Sequence, residues 1–448
     1  MRDLLITLIV FGSVPNMLRY PHVGVLVWSW LGYMNPHKLS WGFAVSFPFA
    51  QVTAIATLVG VMFSRERKDI PMSPLVVIWI VFIAWMGITT LLALYPERAL
   101  DQFEKVIKIQ LFTFITMMFI RDRRRLLMLA GIITASIGFF GVKGGIFAIS
   151  SGGAYKVWGP PDSFIKDNNE LALALLMTLP LMWYFRQQTT NIWARRGLLF
   201  CVVVTAFSIA SSYSRGAFIA SGAVLVFLWL KSRQKVMLGV ASIVLVAVLL
   251  VFMPAEWHER MGTIQNYDED SSAMGRIAAW TLALTVATQR LFGGGFDFWS
   301  TESFSRYTNL DNGVHVAHSI YFSVLGEHGW PGLFMFLFIG FMAIRHGTWI
   351  IRACRGREDL AWMADLARMV QVSLIAYSTG GAFLSLSYFD MYWHLVAIMV
   401  ISKRYVQEML IAGPPLSAVS SRQGEKAAAS ATSMLSSRLV RCAMWKSR

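Results

Sequence analysis

His318, in the stretch AHSIYFSVLGEHGWPG, is the side chain best suited to taking a proton from a hydroxyl near neutral pH, because imidazole titrates there. It stands at the mouth of an apolar stretch, where a histidine also serves as an interfacial helix cap. Arg215, in SYSRGAFIA, joins two apolar stretches with almost no loop between them. A guanidinium at such a place is costly unless it faces a cavity, an anion or the carbonyls of a tight turn. Arg276 and Arg290 flank a helical pattern over 275–291, and Trp280 falls on nearly the same stripe. The two arginines are about 40° apart around the helix axis and roughly 21 Å apart along it. A stripe of this kind suits a diphosphate, onto whose oxygens a guanidinium can fork, and it suits lipid headgroups equally. Lys156 is a third cation that could reach such an anion. Glu327 lies nine residues past His318, half a turn out of phase in an unbroken helix. The two share a face only if the helix breaks, at Gly326 or Gly329.

Other chemistries are excluded by spacing. The glycines at 293–295 open no helix that would make them a phosphate loop, so they read as a short turn. Asp268, Glu269 and Asp270 lack the alternation of a calcium loop and read as solvated. Cys201, Cys354 and Cys442 have no metal spacing, and no disulfide is expected among them. No carboxylate or His/Cys cluster has metal-ligand spacing, so neither a metal nor another cofactor is expected.

These residues must be positioned by a membrane-embedded scaffold. The chain of 448 residues is 56% hydrophobic and only 15% charged, with a mean hydropathy of +0.54. Soluble domains carry about 25% charged residues. The net charge of +15 does not point to nucleic acid, because Lys and Arg gather in short runs at every second loop, the positive-inside pattern. Such runs include Arg65, Arg67 and Lys68, then Arg121 to Arg125, and later Arg345, Arg352, Arg355 and Arg357. The 17 tryptophans suit anchoring at two interfaces. Apolar stretches near 44–64, 74–94, 104–120, 126–150, 168–186, 197–213, 216–231, 237–253, 318–344, 366–384 and 388–403 give eleven candidate spans, each near the 20 residues a bilayer requires. Charge parity then asks for one net crossing within residues 1–36, which makes twelve spans; two short helices with an external N-terminus would make thirteen. The fold expected is therefore all-α, a polytopic transmembrane bundle over 1–405. A large external loop over about 254–317 contains helices, and a disordered cytoplasmic tail follows over 406–448. No cleavable signal peptide is apparent.

The order SYSRGAF, SSAMGRIAAW, LFGGGF and HSIYFSVLGEHGWPG resembles the O-antigen ligase and polymerase superfamily of bacterial membrane proteins. The matching positions are Arg215; Ser272, Gly275, Arg276 and Trp280; Gly293 and Gly295; then His318, Ser319, Glu327 and Gly329. The N-terminal WSWLGYMNPHKLSWGFA is similar to a narrower branch, the exosortase-associated O-glycosylation ligases, and GPPDSFIKDNNELALAL brings in Asn169. His-Ser departs from the commoner His-Asn of the family, which bears on ligase versus polymerase. The resemblance implies transfer of a glycan from undecaprenyl diphosphate to a hydroxyl of a lipid A–core sugar or a protein, inverting and metal-independent. The site would face the periplasm from the inner membrane, among membrane lipids and with no nucleic-acid partner. His318, Arg215 and Arg276 are expected to be catalytic. Arg290, Trp280, Asn169, Lys156, Glu327 and Tyr321 are expected to bind substrate. A polymerase that extends one lipid-linked glycan with another is the alternative within the superfamily. A flippase for lipid-linked sugars is the alternative outside it; that would require ionisable residues at mid-membrane depth in several spans.

Overall fold

The computed structural model describes residues 1–231, 235–262, 271–308 and 314–413. The acidic run Asp268–Asp270, Cys442 and the tail beyond 413 lie outside the described residues. Among those described, the chain is all-helical. The helices are α1 (Arg2–Arg19), α2 (Pro21–Met34), α3 (Phe49–Phe63), α4 (Pro74–Leu91), α5 (Pro96–Phe119), α6 (Arg123–Ser150), α7 (Asn168–Gln188) and α8 (Ile192–Ala210). Then come α9 (Arg215–Lys231), α10 (Lys235–Phe252), α11 (Ala255–Gly262), α12 (Ser271–Gln289), α13 (Thr301–Tyr307), α14 (Ile320–Ala353), α15 (Ala361–Gly380) and α16 (Asp390–Ala412). Each of the eleven apolar stretches falls on a helix. By length and composition alone, five helices (α4, α6, α8, α10 and α14) suffice to cross a membrane. The last helix runs to Ala412, so residues 406–412 continue the bundle instead of starting a disordered tail.

The first 44 residues form a hairpin of two helices. Tyr20, extended at φ −131°, separates α1 from α2. The Asp3 carboxylate accepts from the backbone N–H groups of Gly42 and Ala44, both at 3.1 Å, and Arg2 donates to the Leu39 carbonyl at 3.0 Å. At the other end of this hairpin, His22 stands 4.0 Å from Glu66. The first residue and residues 39–44 therefore lie at the same end of the bundle. The chain runs down and back before α3.

The basic runs collect at the opposite end. Arg125 donates to Glu66 at 2.6 Å and to the Phe119 carbonyl at 2.9 Å, and Arg121 binds the Asp69 carboxylate and the Arg67 carbonyl. These contacts tie the loop after α3 to the start of α6. The core sits around α16, whose residues 391–402 are all buried. Trp393 of that helix stacks on Trp79 at 5.2 Å, and the Trp79 indole N–H finds Gln110 Oε1 at 2.7 Å, so the ring is buried with its donor satisfied.

One interruption shapes the end that carries the motif residues. α14 breaks at Gly329, whose φ of 67° and ψ of −173° are non-helical and essentially restricted to glycine. Pro331 supplies no N–H to the helical ladder. The carbonyls orphaned by the break are taken up from outside: Gly294 N–H donates to Gly326 O at 2.8 Å and Gly295 N–H to Glu327 O at 2.9 Å. The Trp85 indole donates to His328 O at 2.9 Å. The turn reading of residues 293–295 holds, and its function is to dock on the broken helix. Side chains there would collide, since a Cβ on Gly293 would stand 2.6 Å from Gly326 O.

Candidate active site

Three helix beginnings meet at the end opposite the basic runs, and two follow one local pattern. Before α9, Tyr213 adopts φ 57° and Ser214 caps the helix, its hydroxyl accepting from Ala217 N–H at 3.2 Å. Before α14, His318 adopts φ 44° and Ser319 occupies the cap position. A positive φ is uncommon for residues other than glycine, and such strain persists only where the surroundings over-determine it. Around Tyr213 they do. Its hydroxyl donates to Gly153 O at 2.9 Å, and Arg260 donates to its carbonyl at 3.0 Å. Trp257 donates to Ala210 O at 2.9 Å. The third beginning is α7, where Asp167 is the cap: its Oδ1 accepts from Asn169 N–H at 2.8 Å and Asn169 Nδ2 at 2.7 Å. Asn168 binds Ser212 O, which joins α7 to the turn before α9.

His318 is half-buried. Its Nδ1 stands 3.5 Å from Ser385 Oγ, and the same 381–385 segment covers α9, where a Cβ on Gly216 would meet Phe383 at 3.0 Å. Arg215, the first residue of α9, and His318 thus flank one connecting segment. Burial lowers the proton affinity of the His318 imidazole below the ordinary histidine range, and the positive charge of Arg276 lowers it further. The Asp167 carboxylate acts in the opposite direction, and His315 adds a smaller lowering. The imidazole is therefore neutral near pH 7 and able to accept a proton.

α12 sets this loop in place. Trp280 donates its indole N–H to Ala317 O at 2.7 Å and stacks on Phe322, ring centres 4.8 Å apart and planes 8° apart. Gly275 lies against His315, where a Cβ would come within 2.7 Å of the ring. The helix expected over 275–291 is thus present and holds the residues just before α14. Arg276, on this helix, acts on His318. Arg290, at the far end, does not join it: its guanidinium donates to Gly293 O at 2.9 Å and Leu92 O at 2.8 Å, holding the glycine turn against the end of α4.

Several residues expected to touch substrate are engaged within the protein. Glu327 is 6% exposed and lies below the site. It accepts from Tyr388 at 2.5 Å and Trp299 at 3.4 Å. The same phenol stands 2.8 Å from His328 Nε2, whose Nδ1 is 2.7 Å from Thr89 Oγ1. With His328 protonated on Nε2, Nε2–H donates to the Tyr388 oxygen and the phenol to Glu327, while the single Thr89 hydroxyl proton is shared between His328 Nδ1 and Met86 O, 3.0 Å away. Glu327 is therefore no dyad partner of His318. Tyr321 donates to Ser378 O at 2.6 Å, tying α14 to α15. Trp280 likewise serves packing and loop anchoring. Lys156 is exposed on the 151–167 loop, one residue before Val157, whose N–H donates to Ser211 O at 3.1 Å.

Sequence reading missed Asp167, Ser385, His315, His328 and Tyr388. Asp167 carried a signal, since Asp167 and Glu170 have the spacing of a helix-capping pair. Ser385 and Tyr388 carried none, because their importance comes from tertiary contact. Among the described residues, no three His, Cys, Asp or Glu side chains gather as a metal ion would require. Cys201 and Cys354 are free thiols.

A cavity of about 1500 Å³ opens beside Ser214 and runs down between α7, α8, α9, α10, α14 and α15. Its wall near the site includes Ala210, Phe218 and Trp257, so an apolar channel adjoins a basic, histidine-bearing surface. Residues 1–190 match the model of a family of unknown function (DUF5935), and residues 200–337 match the model described as O-Antigen ligase. No curated protein matches the chain. The second match spans Arg215, Arg276, the glycine turn and His318, the residues gathered here, and it supports membership of the chain in the O-antigen ligase and polymerase superfamily.

Proposed function

We propose that the chain transfers a glycan from undecaprenyl diphosphate to a hydroxyl of a lipid A–core sugar or a protein, at the periplasmic face of the bacterial inner membrane. What supports this reading is the placement of His318, half-buried with Nδ1 3.5 Å from Ser385 Oγ, its proton affinity lowered by burial and by Arg276, beside helix beginnings whose positive dipole ends favour an anion. His318 takes the acceptor's hydroxyl proton as that oxygen bonds to the anomeric carbon from the face opposite the diphosphate. The carbon–oxygen bond to the diphosphate breaks, its electron pair leaves with undecaprenyl diphosphate, and the configuration inverts. Arg215 and Arg276 stabilise the charge that develops on the leaving group, and no metal takes part. The apolar channel starting at Ser214 suits the donor's isoprenoid tail. With the basic end in the cytoplasm, the hairpin of α1 and α2 favours thirteen crossings over twelve.

The test supplies purified protein with undecaprenyl-diphosphate glycan in EDTA, with and without lipid A–core or a protein acceptor. Transfer that requires the acceptor supports the ligase. Chain extension from donor alone identifies the polymerase, and no reaction with donor alone, with lipid A–core or with a protein acceptor refutes the proposal.

A further inference from the structure

The cavity beside Ser214 is longer than a site for one lipid headgroup needs. Along α9 its lining extends from Ser214 to Leu228, fourteen residues or about 21 Å of helix, whereas one leaflet's hydrocarbon is about 15 Å deep. At about 1500 Å³ it exceeds the roughly 300–1,000 Å³ of ordinary small-molecule pockets. Its wall is apolar until the basic end, where Arg352, Arg355 and Arg368 enter the lining with Thr348 and Gln371. Gln371 is fixed within the protein, donating to Ile344 O at 2.8 Å and Thr348 Oγ1 at 2.9 Å, and Arg368 pairs with Asp365. Arg352, in the last turn of α14, and Arg355, in the turn that follows it, are both exposed, and Arg355 N–H donates to Arg352 O at 3.2 Å.

We propose that this groove binds an anionic diacyl phospholipid from the leaflet at the basic end. Its phosphate lies between Arg352 and Arg355, and its acyl chains run up along α9. The two guanidiniums match the headgroup's charge, and the apolar wall above them matches chains as long as a leaflet. A donor tail entering at Ser214 would meet the same wall but would leave the arginines without an anion. The inference rests on the orientation of the bundle across a bilayer and puts the phospholipid at the basic end of the groove, apart from the Ser214 end given to the donor's tail.

The test uses the full chain, delipidated in detergent and offered phosphatidylglycerol or phosphatidylcholine with identical acyl chains, with bound lipid counted by native mass spectrometry. Wild type is expected to prefer phosphatidylglycerol by about thirtyfold, two arginine contacts each contributing about fivefold. Arg352→Ala/Arg355→Ala should bring the preference to within about threefold. Gly222 lines the groove, and a Cβ added there would meet nothing within 4 Å, so Gly222→Trp should obstruct binding of both lipids with the arginines in place. Matching elution and melting profiles establish that the variants fold. Equal retention of the two lipids by wild type overturns the proposal, as does an unchanged preference in the double variant. Unimpaired binding in Gly222→Trp puts the lipid on the perimeter and overturns the groove. Displacement by millimolar inorganic phosphate overturns the lipid as the source of the anion.

Discussion

Replacing Gly329 by alanine strikes the joint on which the site end is built. At φ 67° and ψ −173°, a residue with a Cβ sits in a region that costs about 1–3 kcal/mol. The added carbon would also stand 2.2 Å from Leu291 O and 3.2 Å from Gly293 N. Both are backbone atoms that cannot rotate away, and relieving overpacking of this kind costs about 1–3 kcal/mol more. The expected destabilisation is therefore about 2–6 kcal/mol, and the shift that relieves it pulls the glycine turn from Gly326 O and Glu327 O. Gly152→Ala is the control: its φ is +62° with no neighbour within 4 Å, so only a backbone term of about 1–2 kcal/mol applies. Thermal melting of both variants in one detergent, followed by intrinsic tryptophan fluorescence, separates the two contributions. A Gly329→Ala midpoint no lower than that of Gly152→Ala would refute the argument from the break.

Arg290→Gln should lower stability by about 1–3 kcal/mol through its two carbonyl contacts while leaving donor KM within about twofold; a large rise in KM with unchanged melting would return Arg290 to the substrate. Trp280→Phe keeps the stack on Phe322 but deletes the bond to Ala317 O, so it should cost about 1 kcal/mol and lower kcat, His318 being the next residue. Asp167→Asn removes a negative charge that holds the proton on His318. The imidazole then stays neutral further into acid, and the acid limb of kcat/KM moves to lower pH; movement to higher pH would contradict the assignment.

Much of this was readable from residue order, and the rest was lost for identifiable reasons. Apolar runs located α3 to α10 and α14 to α16, because burial in lipid or protein demands uninterrupted hydrophobicity. The hairpin of residues 1–44 was not readable, because it depends on Asp3 reaching Gly42 and Ala44, a contact with no local signature. His318 and Arg276 stood out in the sequence as a candidate proton acceptor and a candidate anion-binding cation, and in the structure the Arg276 charge acts on the His318 imidazole. Glu327 and Arg290 look alike to a sequence reader whether they face a ligand or a protein carbonyl. Only the partners, Tyr388 and Trp299 for one, Gly293 and Leu92 for the other, distinguish the cases. Asp167 was within reach, since a capping aspartate identifies itself by the helix that follows.

The most direct test of the central claim is single-turnover glycan transfer by His318→Ala in EDTA, with donor binding and melting measured on the same preparation. If His318 takes the acceptor's proton, transfer falls by about 10²–10⁴-fold while donor affinity and melting stay near wild type. Transfer within a few-fold of wild type, with donor bound normally, would remove the imidazole from the reaction and leave the site without its base.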